Sequence, residues 1–409
     1  MAQTFGTKPV LASAWQADTL DTGSIHDELN RLWNELGGPR HGGDAPGEMV
    51  ADPHYGGGGL MRANTLNLIA VATDMREVNL IQQTISTLHD FLPSRAIIII
   101  TYDGYDHEAG VFGPRYDVRV ELKEQVTDGE DNDNLRFEVI TIGADRREIG
   151  HLASLVTPLL TADLPDFLWW PSGDFAKHPL FDDLTPVVDR LIVDTAHLGH
   201  EIRAIAAIRG IIAEESDAPI VGDFTWLRLE PWRQLIAQFF DPEDVQVCLK
   251  TIDQVTIRYA ETRDDGSSGL AAALLMTGWL GSRLGWEVID PLERQKRGGL
   301  FAPLRASESA LTRDIELRLI PDTSPHARFS LRSVELVSTG KASGTFAVER
   351  TDSDDIVTHS ETPNNPPVSR MVYSQRPTSQ DMIGQEMQRF GADPYYEEAM
   401  RFAVRLIPN

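Results

Sequence analysis

"RANTLNLIAVATDMREVNLIQQTISTLHDFLPSRAIIII", Arg62–Ile100, decides the fold. RANTLNLIAVAT reads as a strand. Asp74 then stands where a helix cap belongs, with Glu77 at the capping-box position. Val78, Ile81, Ile85 and Leu88 follow along one helix face, and Pro93 ends the helix. The run SRAIIII is almost wholly β-branched, the pattern of a strand buried on both faces. Strand, helix, strand is a βαβ unit, and βαβ units build parallel sheets.

Towards the N-terminus the pattern fails. Gly37–Gly59 holds nine glycines and three prolines, too little apolar surface to order itself, and is expected to be a flexible linker. Before it, SIHDELNRLWNEL (Ser24–Leu36) places Ile25, Leu29, Leu32, Trp33 and Leu36 at helical spacing. Residues 1–59 therefore read as an amphipathic helical arm on a Gly-rich tether.

Towards the C-terminus, YDVRVELKEQV and LRFEVITIG alternate with period two around the acidic tip TDGEDNDN, which predicts a hairpin, or two neighbouring strands, with a solvated loop. A helix from about Arg146 to Leu160 leads to "DLPDFLWWPSGD", Asp163–Asp174, where a short apolar strand ends in Trp169-Trp170 at a Pro-Ser-Gly-Asp turn. RLIVDT, a helix to Ala213, a helix from Trp226 to Phe240, QVTIRYA and the helix Gly269–Leu284 continue the alternation, so 60–290 reads as one α/β domain with a mainly parallel or mixed sheet flanked by helices. Gly278, Gly281 and Gly285 recur on one face of its last helix, which predicts close approach to another backbone. From 305 to 409 the period becomes two. IELRLI, RFSLRSVELV, GTFAVER, DIVTHS and VSRMVYS are strands, and two helices close the chain, the second capped by Asp393 with Pro394 in its first turn. This reads as an α+β domain with an antiparallel sheet.

The chain carries 62 acidic and 37 basic residues, a net charge of −25, which argues against nucleic acid and anionic membranes as partners. No apolar run approaches the roughly 18 residues of a membrane span, and MAQTFGTKPV lacks the pattern of a secretory leader. The cytoplasm is the expected location. Cys248 is the lone cysteine, so neither an internal disulfide nor a Cys-cluster zinc site can form.

No catalytic constellation emerges. No G-x-G-x-x-G follows a predicted strand, and Gly56–Gly59 has no Lys-Ser/Thr after it. HLGHE, 197–201, matches no zinc motif, and the acidic tip lacks the turn glycine and closing glutamate of a calcium loop. There is no G-x-S-x-G elbow. The sequence points to no cofactor, no metal and no catalytic residue.

RANTLNLIAVA, LPSRAIIII, DLPDFLWWPSGD, DFTWLRLEPWRQLIAQFFD and LLMTGWLGSRLGW, in that order across about 62–286, resemble the OpcA family, glucose-6-phosphate dehydrogenase assembly proteins. The resemblance implies a non-enzymatic activator that binds the dehydrogenase, promotes its active oligomer and acts in the oxidative pentose phosphate pathway. Aromatics with arginine are what interfaces favour, so Trp33, Trp169, Trp170, Trp226, Arg228, Trp232 and Arg233 are the candidate partner contacts, with filling of the α/β core as their other reading. The alternative function is an α/β enzyme or binding protein holding a sugar phosphate or nucleotide at the sheet's carboxyl edge.

Overall fold

A computed structural model describes residues 10–17, 21–37, 64–88, 94–101, 116–125, 135–144, 148–171, 175, 178–197, 201–213, 218–261, 268–296, 298–308, 311–323, 331–340, 342–389 and 391–408. The chain forms two compact units, Met1–Trp169 with Asp182–Arg190, and Trp170–Phe181 with Leu191–Asn409. The division falls between the two adjacent tryptophans.

The first unit holds β1 (Val10–Ala17), α1 (Thr22–Gly37), β2 (Leu66–Ala72), α2 (Met75–Leu88), β3 (Ser94–Ile100), β4 (Tyr116–Gln125), β5 (Leu135–Ala144), α3 (Ile149–Val156) and β6 (Asp166–Trp170). Its strands lie in the order β1-β4-β5-β3-β2-β6. β3, β2 and β6 run parallel, as does β5 beside β3, while β4 and β1 are antiparallel additions. The sheet is mixed, as the βαβ unit joined to a hairpin requires. β2 and β3 are buried at every position. Their polar residues are used locally: Asn67 donates to Thr161 O at 3.0 Å and to Asp166 Oδ1 at 2.7 Å. At the start of α2, Asp74 accepts from the Arg76 and Glu77 amides at 2.7 and 2.8 Å. Glu77 reaches back one residue further than a capping box, to the amide of Thr73.

The arm reading of 1–59 needs correction. β1 pairs with β4, and α1 buries Ile25, Leu29, Leu32 and Trp33 in the first unit. Each such side chain contributes about 1.5–3 kcal/mol. The sheet face of Val118, Val120 and Leu122 would otherwise stand open, and α1 covers it. The Gly-rich stretch from residue 38 to 59, the side chain of Leu36 and the acidic tip 127–134 lie outside the described residues.

After α4 (Pro179–Leu184), the second unit holds β7 (Arg190–Val193), α5 (Glu201–Ala213), β8 (Ile220–Asp223), α6 (Phe224–Arg228), α7 (Glu230–Gln238), α8 (Glu243–Leu249), β9 (Ile252–Ala260), α9 (Leu270–Leu284), β10 (Trp286–Val288), β11 (Glu293–Arg294), β12 (Leu300–Glu308), β13 (Leu311–Asp322), β14 (Leu331–Ser338), β15 (Gly344–Arg350), β16 (Ile356–Thr362), β17 (Asn365–Val372), α10 (Ser379–Met387) and α11 (Pro394–Leu406). β10-β12-β13-β9-β14-β15-β16-β17 form the second sheet, with β11 beside β12. It is antiparallel except for β9 against β13.

Here too the structure departs from the sequence reading. β9, assigned to the α/β domain, sits at the middle of the antiparallel sheet. Val255, Ile257 and Tyr259 are buried while Arg258 is exposed, the one-sided alternation of an antiparallel strand. The single helix expected over 226–240 is two, because Pro231 opens α7. α9 packs along α11. A Cβ at Gly278 would lie 2.1 Å from Ala399 O, and one at Gly281 2.3 Å from the Phe402 ring. β17 ends the sheet, and Pro366 and Pro367 stand in it with nearly every residue exposed.

Candidate functional site

A group of buried charges gathers where β7 and β8 end. In α/β sheets the carboxyl ends of strands are where ligands bind. Asp194 follows β7 and Asp223 closes β8, and both are buried. Arg228, at the end of α6, grips Asp194 with two hydrogen bonds, Nη1 to Oδ1 at 2.8 Å and Nη2 to Oδ2 at 2.6 Å. His197 Nδ1 lies 2.8 Å from Asp194 Oδ2, and the Thr225 hydroxyl donates to Oδ1 at 3.2 Å. Burial works against the Asp194 charge, but Arg228 and His197 outweigh it and hold the carboxyl well below its ordinary range.

Asp223 is the N-cap of α6 and accepts from the Thr225 amide at 2.9 Å. It also accepts from the Thr195 amide and hydroxyl, at 3.2 and 2.9 Å, and from the Tyr396 hydroxyl at 3.3 Å. Burial, then the neighbouring Asp194 charge, pushes its carboxyl up to about 7. Burial and Asp223 raise the Tyr396 phenol well above its usual value. Glu386 from α10 completes the group, its carboxylate resting on the bare Cα of Gly222.

Trp226, Arg228 and Arg233 come together around this group, while Trp232 packs against Arg350 of β15. Trp226 donates Nε1 to Asp393 Oδ2 at 2.8 Å, while the other oxygen of Asp393 caps α11 at the Tyr395 and Tyr396 amides. The Arg233 guanidinium stacks 3.5 Å from the Trp226 ring centre and donates to Trp226 O at 2.8 Å. Burial brings its pKa down to about 10. Trp232 is 1% exposed, with the Arg350 guanidinium 5.7 Å from its ring.

The other three candidates lie elsewhere. Trp33 is buried in the first unit and donates to Glu138 Oε1 at 2.6 Å, while Arg95 Nε donates to the second oxygen at 2.6 Å. Trp169 is fully buried in β6. Trp170 meets His178 and Phe181 edge-on, with ring centres 5.1 and 5.4 Å apart. All five candidate tryptophans are buried. Asp194, Asp223, Tyr396 and Asp393 were missed as a group. Asp223 and Tyr396 are hydrogen-bonded across a sequence separation of 173 residues, and a strand-end aspartate before a helix is the trace that a sequence leaves of such a site.

The chemistry of the cluster is that of a clasp. Each carboxylate oxygen of Asp194 and Asp223 meets a donor from the protein itself, and these bonds tie β7, β8, α6 and α11 together. Among the described residues, no three His, Cys, Asp or Glu side chains gather as metal ligands do. None of the described helices is long and apolar enough to cross a membrane.

Mixed sheet, mainly antiparallel sheet and clasp define a two-unit α/β protein that uses its strand-end carboxylates to fasten helices. Residues 85–210 match the glucose-6-phosphate dehydrogenase subunit N-terminal domain, and 219–400 the corresponding C-terminal domain, both models of the OpcA group. The chain belongs to the OpcA family. It is 25% identical over 283 residues to an OpcA protein of Synechocystis, covering 66% of this chain and 56% of that one. It is 27% identical over 276 residues to one of Synechococcus elongatus, covering 64% and 58%. Their names attach both provisionally to the OxPP cycle. The chain spans about half the length of the curated relatives it matches. Among solved structures, an oxidoreductase from Sinorhizobium meliloti is similar at 11% identity and a TM-score of 0.43, covering 84% of this chain and 89% of that chain; the likeness is too distant to carry function.

Proposed function

We propose that the protein is a non-enzymatic assembly factor and activator of glucose-6-phosphate dehydrogenase, acting in the cytoplasm at the entry to the oxidative pentose phosphate pathway. The observation that carries this reading is the match of two successive segments to the two domains of a dehydrogenase-associated subunit. The clasp supports it: the strand-end carboxylates that an enzyme would turn towards substrate face donors of their own chain. An activator works by binding the active state of its partner more tightly than the inactive one.

The test is co-purification with the dehydrogenase of the same organism, followed by titration of its kinetics. Bound protein should shift the enzyme's oligomer equilibrium and lower KM or raise kcat. Kinetics unchanged at saturation would reduce the role to passive scaffolding. Reduction of NADP with glucose 6-phosphate by the purified chain alone would overturn the non-enzymatic reading.

A further inference from the structure

We propose that the second unit carries a binding cleft for a small, neutral, largely aromatic molecule. The cleft lies between helices α7, α8 and α9 and strands β10, β12 and β13, and has a volume of about 780 Å³. Ligand pockets span roughly 300–1,000 Å³.

Its depth follows from the sheet register. Trp286, Ala306 and Arg313 are successive cross-strand neighbours on β10, β12 and β13. Arg313 shares the parity of Ile315, Leu317 and Leu319, all buried, so this row stands on the helix-facing side of the sheet. Ala306 in the middle of the row leaves the space that a larger side chain would fill. Ile236, Leu280 and Trp286 at the inner end are buried, while Ala237 and Gln246 at the mouth are exposed. A recess of this kind takes a whole small molecule; a flat protein surface would rest on the mouth and leave the inner end empty.

Wall chemistry selects the ligand. Phe240, Trp279 and Trp286 bring three aromatic side chains to the lining, and aromatic rings pack against one another offset or edge-on. Charge gives an ion no foothold. No Asp or Glu lines the cleft, and its three bases are already engaged. Arg283 is ion-paired with Glu398 and lies over Tyr395, and Lys250 and Arg313 have partners within the chain. An ion would give up its water without gaining a free counter-charge, and the net charge of −25 repels anions at long range. A neutral molecule meets neither cost. Gln246 and Ser307 supply uncharged donors and acceptors for a polar group on it.

Fluorescence titration of the intact chain with N-phenylnaphthylamine and with anilinonaphthalene sulfonate, the same ring system carrying a negative charge, tests the proposal. The neutral probe should bind saturably, one per chain, and quench tryptophan emission by energy transfer, while the sulfonate binds at least tenfold more weakly. Ala306→Phe on the sheet and Ala237→Phe at the mouth should each weaken the neutral probe about five- to tenfold. Ala237 is exposed on α7, so its variant keeps the test usable if substitution of Ala306 disturbs the sheet. Val368→Ser, in the separate groove beside β17, should leave the affinity at its parental value. Absence of saturable one-to-one binding, sulfonate binding as tight as the neutral probe, parental affinity in both cleft variants, or loss of binding in Val368→Ser would overturn the assignment. The titration uses the chain alone, so its outcome is independent of the dehydrogenase.

Discussion

Arg228 and Trp33 have one role in common: each satisfies a buried carboxylate. Arg228→Met would leave Asp194 charged, buried and stripped of its bidentate partner. Loss of one member of such a pair costs about 3–5 kcal/mol, so chemical denaturation should show a correspondingly lowered midpoint. Trp33→Phe keeps most of the apolar surface but removes the donor to Glu138. A hydrogen bond to a charged group contributes about 1.5–3 kcal/mol, and that is the expected loss. Asp223 gives a pH signature. Its folded-state pKa of about 7 stands above the ordinary 3.8, so the folded chain holds this proton more tightly than the unfolded one. Its contribution is full below about pH 4 and is lost as pH rises towards 7. Asp194 has the opposite sign, but its folded-state value is far lower, and its contribution is already complete above pH 4. Asp223→Asn should therefore flatten the melting-temperature curve between pH 4 and 7 relative to the parent. An unchanged slope would refute the raised pKa of Asp223. The sequence shows these as scattered polar residues, since long-range pairing of side chains leaves no periodic trace.

Among elements, α9 was the most legible. Its glycines predicted a close approach, and α11 supplies it at Gly278 and Gly281, while Gly285 ends the helix with φ +64°. Gly278→Ala would push a methyl into the Ala399 carbonyl, and overpacking of this kind costs about 1–3 kcal/mol despite alanine's better helix propensity. Thermal unfolding should show the drop, with Gly150→Ala on α3, where a Cβ meets nothing within 4 Å, as the neutral or stabilised control. The βαβ unit, the hairpin strands and the capped final helix were readable for the same reason: each is encoded within a few neighbouring residues. β9 was assigned to the wrong sheet because its partners, β13 and β14, come later in sequence. α1 was read as a separate arm because a stripe of apolar residues shows that a helix docks without showing where. Deletion of residues 1–37 should now destabilise the first unit, exposing Glu138 and the β4 face. Wild-type melting of the truncated chain would refute that docking role.

For the molecule as a whole, charge is the property the sequence reports most directly. A surface of net −25 should favour a partner with a basic patch, and electrostatic attraction acts mainly on the association rate. On the proposed function, association with the dehydrogenase should slow several-fold between low and physiological salt in a stopped-flow measurement, and a salt-independent rate would point to an apolar contact. The same net charge keeps copies of the chain apart at long range, but only over about 8–10 Å in physiological salt. Closer in, β17 takes over. An edge strand can act as a template for fibres, and this one exposes Val368 and Met371. Pro366 and Pro367 offer no N–H to an arriving strand. Successive N–H groups of a strand point to opposite sides, so one of these two neighbouring prolines removes a donor from the outward edge, and the stacking of one copy on another is hindered at that rung.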